Sequence, residues 1–571
     1  MPSPSNNTPP DNSSMMPKHT AQSTAAEDDA ARSSTGQRAD AVSPWLREES
    51  PSSKTLVGSG TMKGDRYKNP PSRLEVLGWY LYGLCSHFIQ TVLIPIIFPL
   101  IISQIVKADS LAEPPHGWKQ SRKGLPCNLG EMTLYEGLTQ KMIKINNIHL
   151  SALDWVTASW VIGLIFAAPL LGSLSVHMDG GSNHLIAAAA TLIGALFCFP
   201  AGFIKNDWLF PPYIATVVAA YAVASTCHTR QLGLMVRGFT GSKLLTTQFP
   251  IRRAISSWLS LFGAAGSGFG SAVIAAFTYY MLNKDEKFIS LWVVSIFSGI
   301  KWLTGILHVI IAMLGSSEQS PATPTPPSLE VPHFLSISSH PHALGTLIAT
   351  LLSGFTTMSI FTGGVLYLVG QLCIRSHTLL YFWLTYFLFP MFALPLLHPL
   401  QQLIKANAVK MNVLGLIISL VTSGFGFYFK DDGTWRTKDI LLFAAVQGLS
   451  AGILHAFSRV LIMDCAPSGK EGAFAAWHSW VMGIGMCIGF AVGSSVDGLG
   501  SCLGAAFLAG LAGIVVLIFG NVSDLVGALG AGHVGEDENE DDSDDEEDRK
   551  EQLATKGRHG SGLSKEEHVS V

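Results

Sequence analysis

Residues 155–175 read Trp-Val-Thr-Ala-Ser-Trp-Val-Ile-Gly-Leu-Ile-Phe-Ala-Ala-Pro-Leu-Leu-Gly-Ser-Leu-Ser, without one ionisable side chain. About 20 apolar residues in a helix cross the hydrocarbon core of a bilayer. This stretch is the body of a span at 148–175, and its kind recurs along the chain. Upstream lies 76–105; downstream lie 185–204, 211–235, 254–281 and 288–314. A second set follows at 342–370, 379–401, 408–429, 438–463, 472–497 and 501–526. The pattern predicts an all-α polytopic membrane protein of about 12 transmembrane helices. The turn between the third and fourth spans is crowded by Pro200, Pro211 and Pro212. Aromatics at span ends (Trp79, Tyr80 and Tyr82; Tyr279 and Tyr280) suit an interfacial belt.

Composition agrees. The 571 residues are 48% hydrophobic and 14% charged, against about 25% charged in soluble domains. The net charge of −4 conceals a division, because residues 536–548 carry eleven acids and no base, which leaves about +7 for the rest. Its bases lie in short clusters between apolar runs, which gives no footprint for nucleic acid. Of eight cysteines, Cys85, Cys198, Cys227 and Cys487 lie in apolar runs and read as small buried hydrophobes. None has zinc-type spacing, and no metal or cofactor is expected. Cys127 lies in a long polar loop, where a disulfide has no partner that the sequence names.

Polar segments divide the chain. Residues 1–70 are rich in Ser, Pro, Asn and Thr and lack the apolar core of a cleaved signal, so a disordered tail is expected. Residues 71–314 form one six-helix half and 342–530 the other, joined by a Pro/Ser-rich linker at 315–341; an acidic tail occupies 531–571. Two such halves are a transporter layout. An internal echo supports it. Pro250, Arg252, Arg253 and Trp258 precede Gly263, Gly266, Gly268 and Gly270, while Pro467, Lys470 and Trp477 precede Gly483, Gly485, Gly489 and Gly493. Gly263, Gly266, Gly485 and Gly489 are expected at a helix interface, since small residues let helices approach closely. Lys63, Arg66, Lys68 and Arg73, with Arg237, Lys243, Arg252 and Arg253, favour cytosolic termini. The basic residues of loop 107–147 oppose that orientation, with the smaller weight of a long loop.

Three patches carry a resemblance. Leu74-Glu-Val-Leu-Gly-Trp-Tyr-Leu-Tyr-Gly83 leads into Phe98-Pro-Leu-Ile101. Gln447-Gly448 and Ser458-Arg459 precede Ala466-Pro-Ser-Gly-Lys-Glu471 and Phe474, and Pro169-Leu-Leu-Gly172 closes the second span. These stretches resemble the autophagy-related vacuole effluxer family of the major facilitator superfamily. The resemblance implies a major-facilitator-type fold, alternating access, and export of amino acids from a vacuole to the cytosol. One departure stands out: the expected loop aspartate position holds Val176, followed by Asp179, Gly180 and Gly181 without a basic cluster. In the family those charges help latch one conformation.

Polar groups inside spans need a partner or a wet cavity, so they mark the candidate substrate site. Lys301 sits mid-way along the sixth span. His228 and Arg230 lie in the fourth, and Gln447, His455 and Arg459 in the corresponding tenth. His455 and Arg459, four apart, share a helix face. An arginine suits a carboxylate; for Arg459 a pairing with Asp464 or Glu471 is the alternative. Tyr82, His87 and Gln90 cluster in the first span, and Thr356 and Thr357 stand near paired glycines in the seventh. His87, His455 and His478 are proton-coupling candidates, with His398 weaker. No span holds a central acid, and no nucleotide-binding or hydrolase motif is present, so no enzyme is expected. Ser543, followed by three acids, is a phosphorylation candidate for a cytosolic kinase or partner at the tail. The expected partners are the bilayer and a small organic solute. A transport-inactive receptor or scaffold, and a carrier of sugar or nucleoside, are the alternatives. The membrane is vacuolar by resemblance, with the plasma membrane or another endomembrane as alternative.

Overall fold

The computed structural model describes residues 70–105, 129–139, 143–145, 148–200, 207–241, 243–284, 291–315, 333–429, 435–495 and 499–535. Residues 1–69 of the tail expected at 1–70, Cys127 and Ser543 lie outside the described residues.

The fold class is the one expected, an all-α bundle of membrane-length helices. The first span, Arg73–Ile105, comprises α1 (Arg73–Ser86), a π-helical stretch (Ile89–Ile97) and α2 (Phe98–Ile105). Pro95 lies inside the π stretch. A proline cannot donate to the α ladder and clashes one turn back, which favours a locally widened helix. After the short α3 (Leu129–Thr139) and a hairpin of β1 (Ile143–Ile145) and β2 (Ile148–Leu150) comes α4 (Ala152–His177). Ser151 and Asp154 form a capping box at its start, which pays two otherwise orphaned backbone donors. Helical backbone runs on with little interruption over Ala152–Cys198, 47 residues. Gly181, with φ 109°, breaks it, so α5 (Asn183–Cys198) returns as a separate helix.

There follow α6 (Phe210–Thr240), β3 (Leu244–Leu245), α7 (Phe249–Lys284), α8 (Leu291–Thr304) and α9 (Ile306–Gly315). Beyond the linker run α10 (Pro341–Gly370), α11 (Ser376–Leu403), α12 (Ala408–Tyr428), α13 (Thr437–Asp464), α14 (Glu471–Ser495) and α15 (Leu499–Phe519). The chain ends with α16 (Asp524–Gly530) and β4 (Val534–Gly535).

Three boundaries differ from expectation. The twelfth span stops at Phe519, because Asn521 takes left-handed backbone (φ 55°) and Ser523 caps a new short helix. Residues 531–535, expected as tail, pack against the bundle through β4. Residues 333–339 of the expected linker form a 3-10 turn, where Phe334 stacks on Trp477 at 4.7 Å and accepts its indole N–H on the carbonyl.

Large apolar side chains such as Ile165, Phe392, Leu396 and Leu508 point outward, as a surface in lipid requires. Serine and threonine hydroxyls inside the bundle bond back to carbonyls of their own helices, Ser159 to Trp155 and Thr278 to Ile274 among them. Close packing comes from small residues. A Cβ on Gly489 would stand 2.5 Å from the Phe355 carbonyl, and one on Gly485 would overlap that of Leu351. Both therefore seat α14 on α10, within the last six spans. Gly263 faces Trp79 of α1, within the first six, and Gly266 meets only the Tyr80 carbonyl at 3.9 Å. The close contacts of these glycines thus lie within one set of six spans or the other, and not across the seam between the sets. Across that seam a Cβ on Gly268 would stand 2.8 Å from the Phe387 carbonyl, and one on Gly483 2.9 Å from the Leu164 side chain.

Candidate functional site

Two polar regions lie where the first six spans meet the last six. One closes an end of the bundle; the other sits deeper.

The closed end is made of helix termini. Asp179, in the turn after α4, pairs with Arg230 at 2.8 Å and accepts the Gly472 backbone N–H at 2.8 Å. Gly472 lies in the first turn of α14, whose unpaired N–H groups favour an anion. Arg237 of α6 pairs with Glu471, and Arg252 of α7 with Asp464 of α13 at 3.0 Å. Arg253 pairs with Asp524 at 3.0 Å. These four pairs are largely withdrawn from solvent and span the seam, the first through Gly472, so together they act as a latch. Two corrections follow. Arg230, expected in the substrate cavity, is a latch residue, because Asp179 reaches it from the α4–α5 turn. The resemblance placed a loop carboxylate where Val176 stands; the acid that meets Arg230 is Asp179, the second residue of the π-helical turn Met178–Ser182.

Deeper in the seam, α1 faces α13. The rings of His87 and His455 lie 4.3 Å apart, one from each helix set. A cavity of 50 Å³ beside them is lined by Gln90, Thr91, Thr357, Phe361, Tyr386 and Met486, among others. One turn along α13, Arg459 is 2% exposed. Its Nε donates to the His455 carbonyl at 3.2 Å, its guanidinium lies 5.8 Å from the Trp79 ring centre, and its Nη2 is buried without a partner. Among the described residues no carboxylate pairs with it. The alternative pairing with Asp464 or Glu471 does not occur, since both acids are engaged by arginines of the other half. His478 bonds Ser458 at 3.1 Å and leaves Nδ1 unpartnered. His228 stacks on Trp79 at 4.5 Å; its Nε2 donates to the Trp79 carbonyl at 3.0 Å, and the Trp79 indole donates to the His228 carbonyl at 2.9 Å. Trp79, assigned above to the interfacial belt, is thus a buried strut beneath Arg459.

Several other expected residues lie elsewhere. Lys301 donates to the Gly270 carbonyl and caps the Phe88 ring at 4.5 Å, so it is satisfied within the first six spans and does not line the cavity. Tyr82 bonds Thr191 at 2.9 Å inside the same half. Thr356 bonds the Leu352 and Ala506 carbonyls between α10 and α15. Gln447 accepts from Thr422 at 2.5 Å and donates to Ser419, tying α12 to α13. His398 reaches the Ala254 carbonyl at 3.3 Å, a seam contact away from the cavity. Of the expected substrate residues, Gln90, Thr357 and His455 line the cavity; His228 and Arg459 adjoin it.

A larger cavity, 270 Å³, opens at the end away from the latch. Tyr135, Asp154, Gly363, Tyr367 and Gln371 line it. Along α10 the two cavities succeed each other, from Tyr367 and Gly363 to Phe361 and Thr357. Cys373, just beyond α10 at that end, is disulfide-bonded, whereas Cys465 at the latch is a buried free thiol.

No family model matches this sequence, and no curated protein does. Among solved structures, a bacterial homologue of the iron transporter ferroportin in an outward-facing state is 13% identical, with a TM-score of 0.47 over 79% of this chain and 99% of that one. The major facilitator superfamily proton:xylose symporter XylE, bound to 6-bromo-6-deoxy-D-glucose, is 13% identical, with a TM-score of 0.49 over 80% of this chain and 98% of that one. The xylose transporter XylE from E. coli, in a partially occluded inward-open conformation, is 15% identical, with a TM-score of 0.45 over 78% and 96%.

Proposed function

We propose that this chain is a secondary transporter of major-facilitator type that moves a small carboxylate-bearing solute, foremost an amino acid, by alternating access. Arg459 carries the reading. Among the described residues, five buried or half-buried arginines lie near the seam, and four of them have a carboxylate. A buried charge left without a counter-charge is costly, and the group that arrives and leaves is the solute. Arginine offers a carboxylate two parallel N–H bonds. Gln90, Thr91 and Thr357 offer polar partners, and the Tyr386 and Phe361 rings and Met486 offer apolar surface. The closed cavity holds little more than water, so a solute enters as the halves part. His87 and His455 stand where a proton can accompany it, and His478 beside them.

The latch face is then cytosolic. A disulfide persists in an oxidising compartment, which supports a lumenal or external side for Cys373 and the larger cavity. Val534–Gly535, at the latch, then face the cytosol as well. With the latch shut and the larger cavity on the far side, uptake from a vacuole-like lumen and release to the cytosol fits the amino-acid efflux that the family resemblance implies. Asp179 in the latch weighs against the transport-inactive scaffold, since the loop after α4 does offer a pairing carboxylate.

The test is flux in proteoliposomes holding the purified chain, with labelled neutral and basic amino acids, with and without a pH gradient. Saturable flux of a neutral amino acid is expected, and Arg459→Gln lowers it by about 100-fold, as loss of a buried charged hydrogen-bond partner does. Equal flux in the variant sinks the assignment of Arg459. No flux of any amino acid through folded protein sinks the solute class.

A further inference from the structure

The last described stretch runs back across the latch. Asp524 is buried at the start of α16 and accepts from Arg253 Nε and Nη2, both at 3.0 Å, and from Asn407 at 3.3 Å. Ala528 and Val534 pack on Phe249, with Leu525 and Leu529 around them. β4 then pairs in parallel with β3, Val534 opposite Leu244 and Gly535 opposite Leu245. The Leu244 N–H donates to the His533 carbonyl at 3.0 Å, and His533 Nε2 donates to the Ala466 carbonyl at 2.8 Å. Gly527 lies so close to Cys465 that a Cβ there would stand 2.5 Å from the sulfur.

These contacts divide by origin. β3, Phe249 and Arg253 belong to the first six spans. Asn407, Cys465 and Ala466 belong to the last six, to which the segment is itself joined through α15. One short segment therefore bonds both sides of the seam on the face that the four ion pairs close.

We propose that residues 524–535 are an autoinhibitory strap, which holds the latch face shut and must leave β3 and Arg253 before that face opens. The segment travels with α15, so parting the halves breaks the β3–β4 pairing, the Arg253–Asp524 contacts and the Phe249 packing in one step. Unlatching alone does not suffice: Arg237–Glu471 and Arg252–Asp464 can separate while the strap still spans the gap. The strap thus sets how often the cytosolic gate opens, independently of what the cavity carries. This rests on the alternating-access reading, so the experiment separates the two.

Spin labels at Ile251→Cys and Ser468→Cys, exposed positions on opposite sides of the latch, report its opening as a distance distribution in the full chain in nanodiscs. Asp524→Asn, and separately a chain ended at Val522, should raise the open population by about tenfold or more, the effect of losing a hydrogen bond to a charged group. In a third variant, Leu245→Cys with Gly535→Cys should cross-link strap to β3 and hold the latch shut until reduced. An open population equal in the unmodified chain, Asp524→Asn and the cross-linked form overturns the strap and leaves alternating access standing. A latch that stays shut in every form, including Asp464→Asn with Glu471→Gln, overturns opening at this face and the strap with it.

Discussion

Replacing Arg459 with methionine should make the folded protein more stable while abolishing transport, and the sign of that first effect is the informative part. The guanidinium is 2% exposed, one nitrogen has no partner, and no described carboxylate faces it. Its favourable contacts are one bond to the His455 carbonyl and the Trp79 face at 5.8 Å. A charged hydrogen bond contributes about 1.5–3 kcal/mol and a cation–π contact about 0.5–2 kcal/mol. Against these stand several kcal/mol of desolvation for the ion. An apolar side chain of similar length avoids that cost, and such replacements of buried charges range from neutral to about 1–4 kcal/mol stabilising. Arg252→Met is the control. Arg252 is equally buried, but it pairs with Asp464 at 3.0 Å, and removing it strands the carboxylate. That should cost about 3–5 kcal/mol. Thermal unfolding in detergent, followed by tryptophan fluorescence, should shift upward for Arg459→Met and downward for Arg252→Met. A bound solute should raise the midpoint of the unmodified chain and not that of Arg459→Met, since only the former gains from mass action. A fall for Arg459→Met comparable to that of Arg252→Met would refute the claim that Arg459 waits for a counter-charge.

Two further outcomes follow from local geometry. Gly485→Ala places a methyl against the Leu351 carbonyl and should cost about 1–3 kcal/mol as the helices separate, whereas Gly530→Ala, with nothing within 4 Å, should leave the melting midpoint unchanged; equal shifts would mean that α10 and α14 are not in close contact. His533 gives the strap a pH dependence. Burial, then the nearby Arg252 and Arg237, push its pKa from 6.5 down to about 2 when docked, and the acids that face this corner, Asp464, Glu471 and Asp524, are already engaged by arginines. A base with a lowered docked pKa takes up its proton only on release. Docking is therefore fully present above pH 6.5 and weakens below it by about 1.4 kcal/mol per pH unit. Limited proteolysis of the strap should accelerate about tenfold at one pH unit below the free pKa, and His533→Gln should flatten the profile; an unchanged profile in that variant would remove His533 from the effect.

The sequence by itself determined the membrane bundle, because hydropathy over some 20 residues is a local property and backbone groups in lipid leave no choice but a helix. It also marked which spans carry costly polar groups: His87, Thr357, His455 and Arg459 were legible as anomalies in apolar runs. The break at Gly181 within Ala152–Cys198 was legible too, as Asp179-Gly-Gly181. Tertiary structure decided which charge meets which. Arg252 and Asp464 are 212 residues apart in the chain, and nothing local distinguishes Arg230, which has a carboxylate, from Arg459, which has none among the described residues. Asp179 could not be assigned to the latch by counting from Gly172, because its partners, Arg230 and the Gly472 N–H, lie 51 and 293 residues away in the chain. The docking of residues 524–535 was equally hidden, for a short helix and a two-residue strand are stable only on the surface that receives them. Coulomb energy and packing depend on distance in space, and only the folded bundle sets that distance.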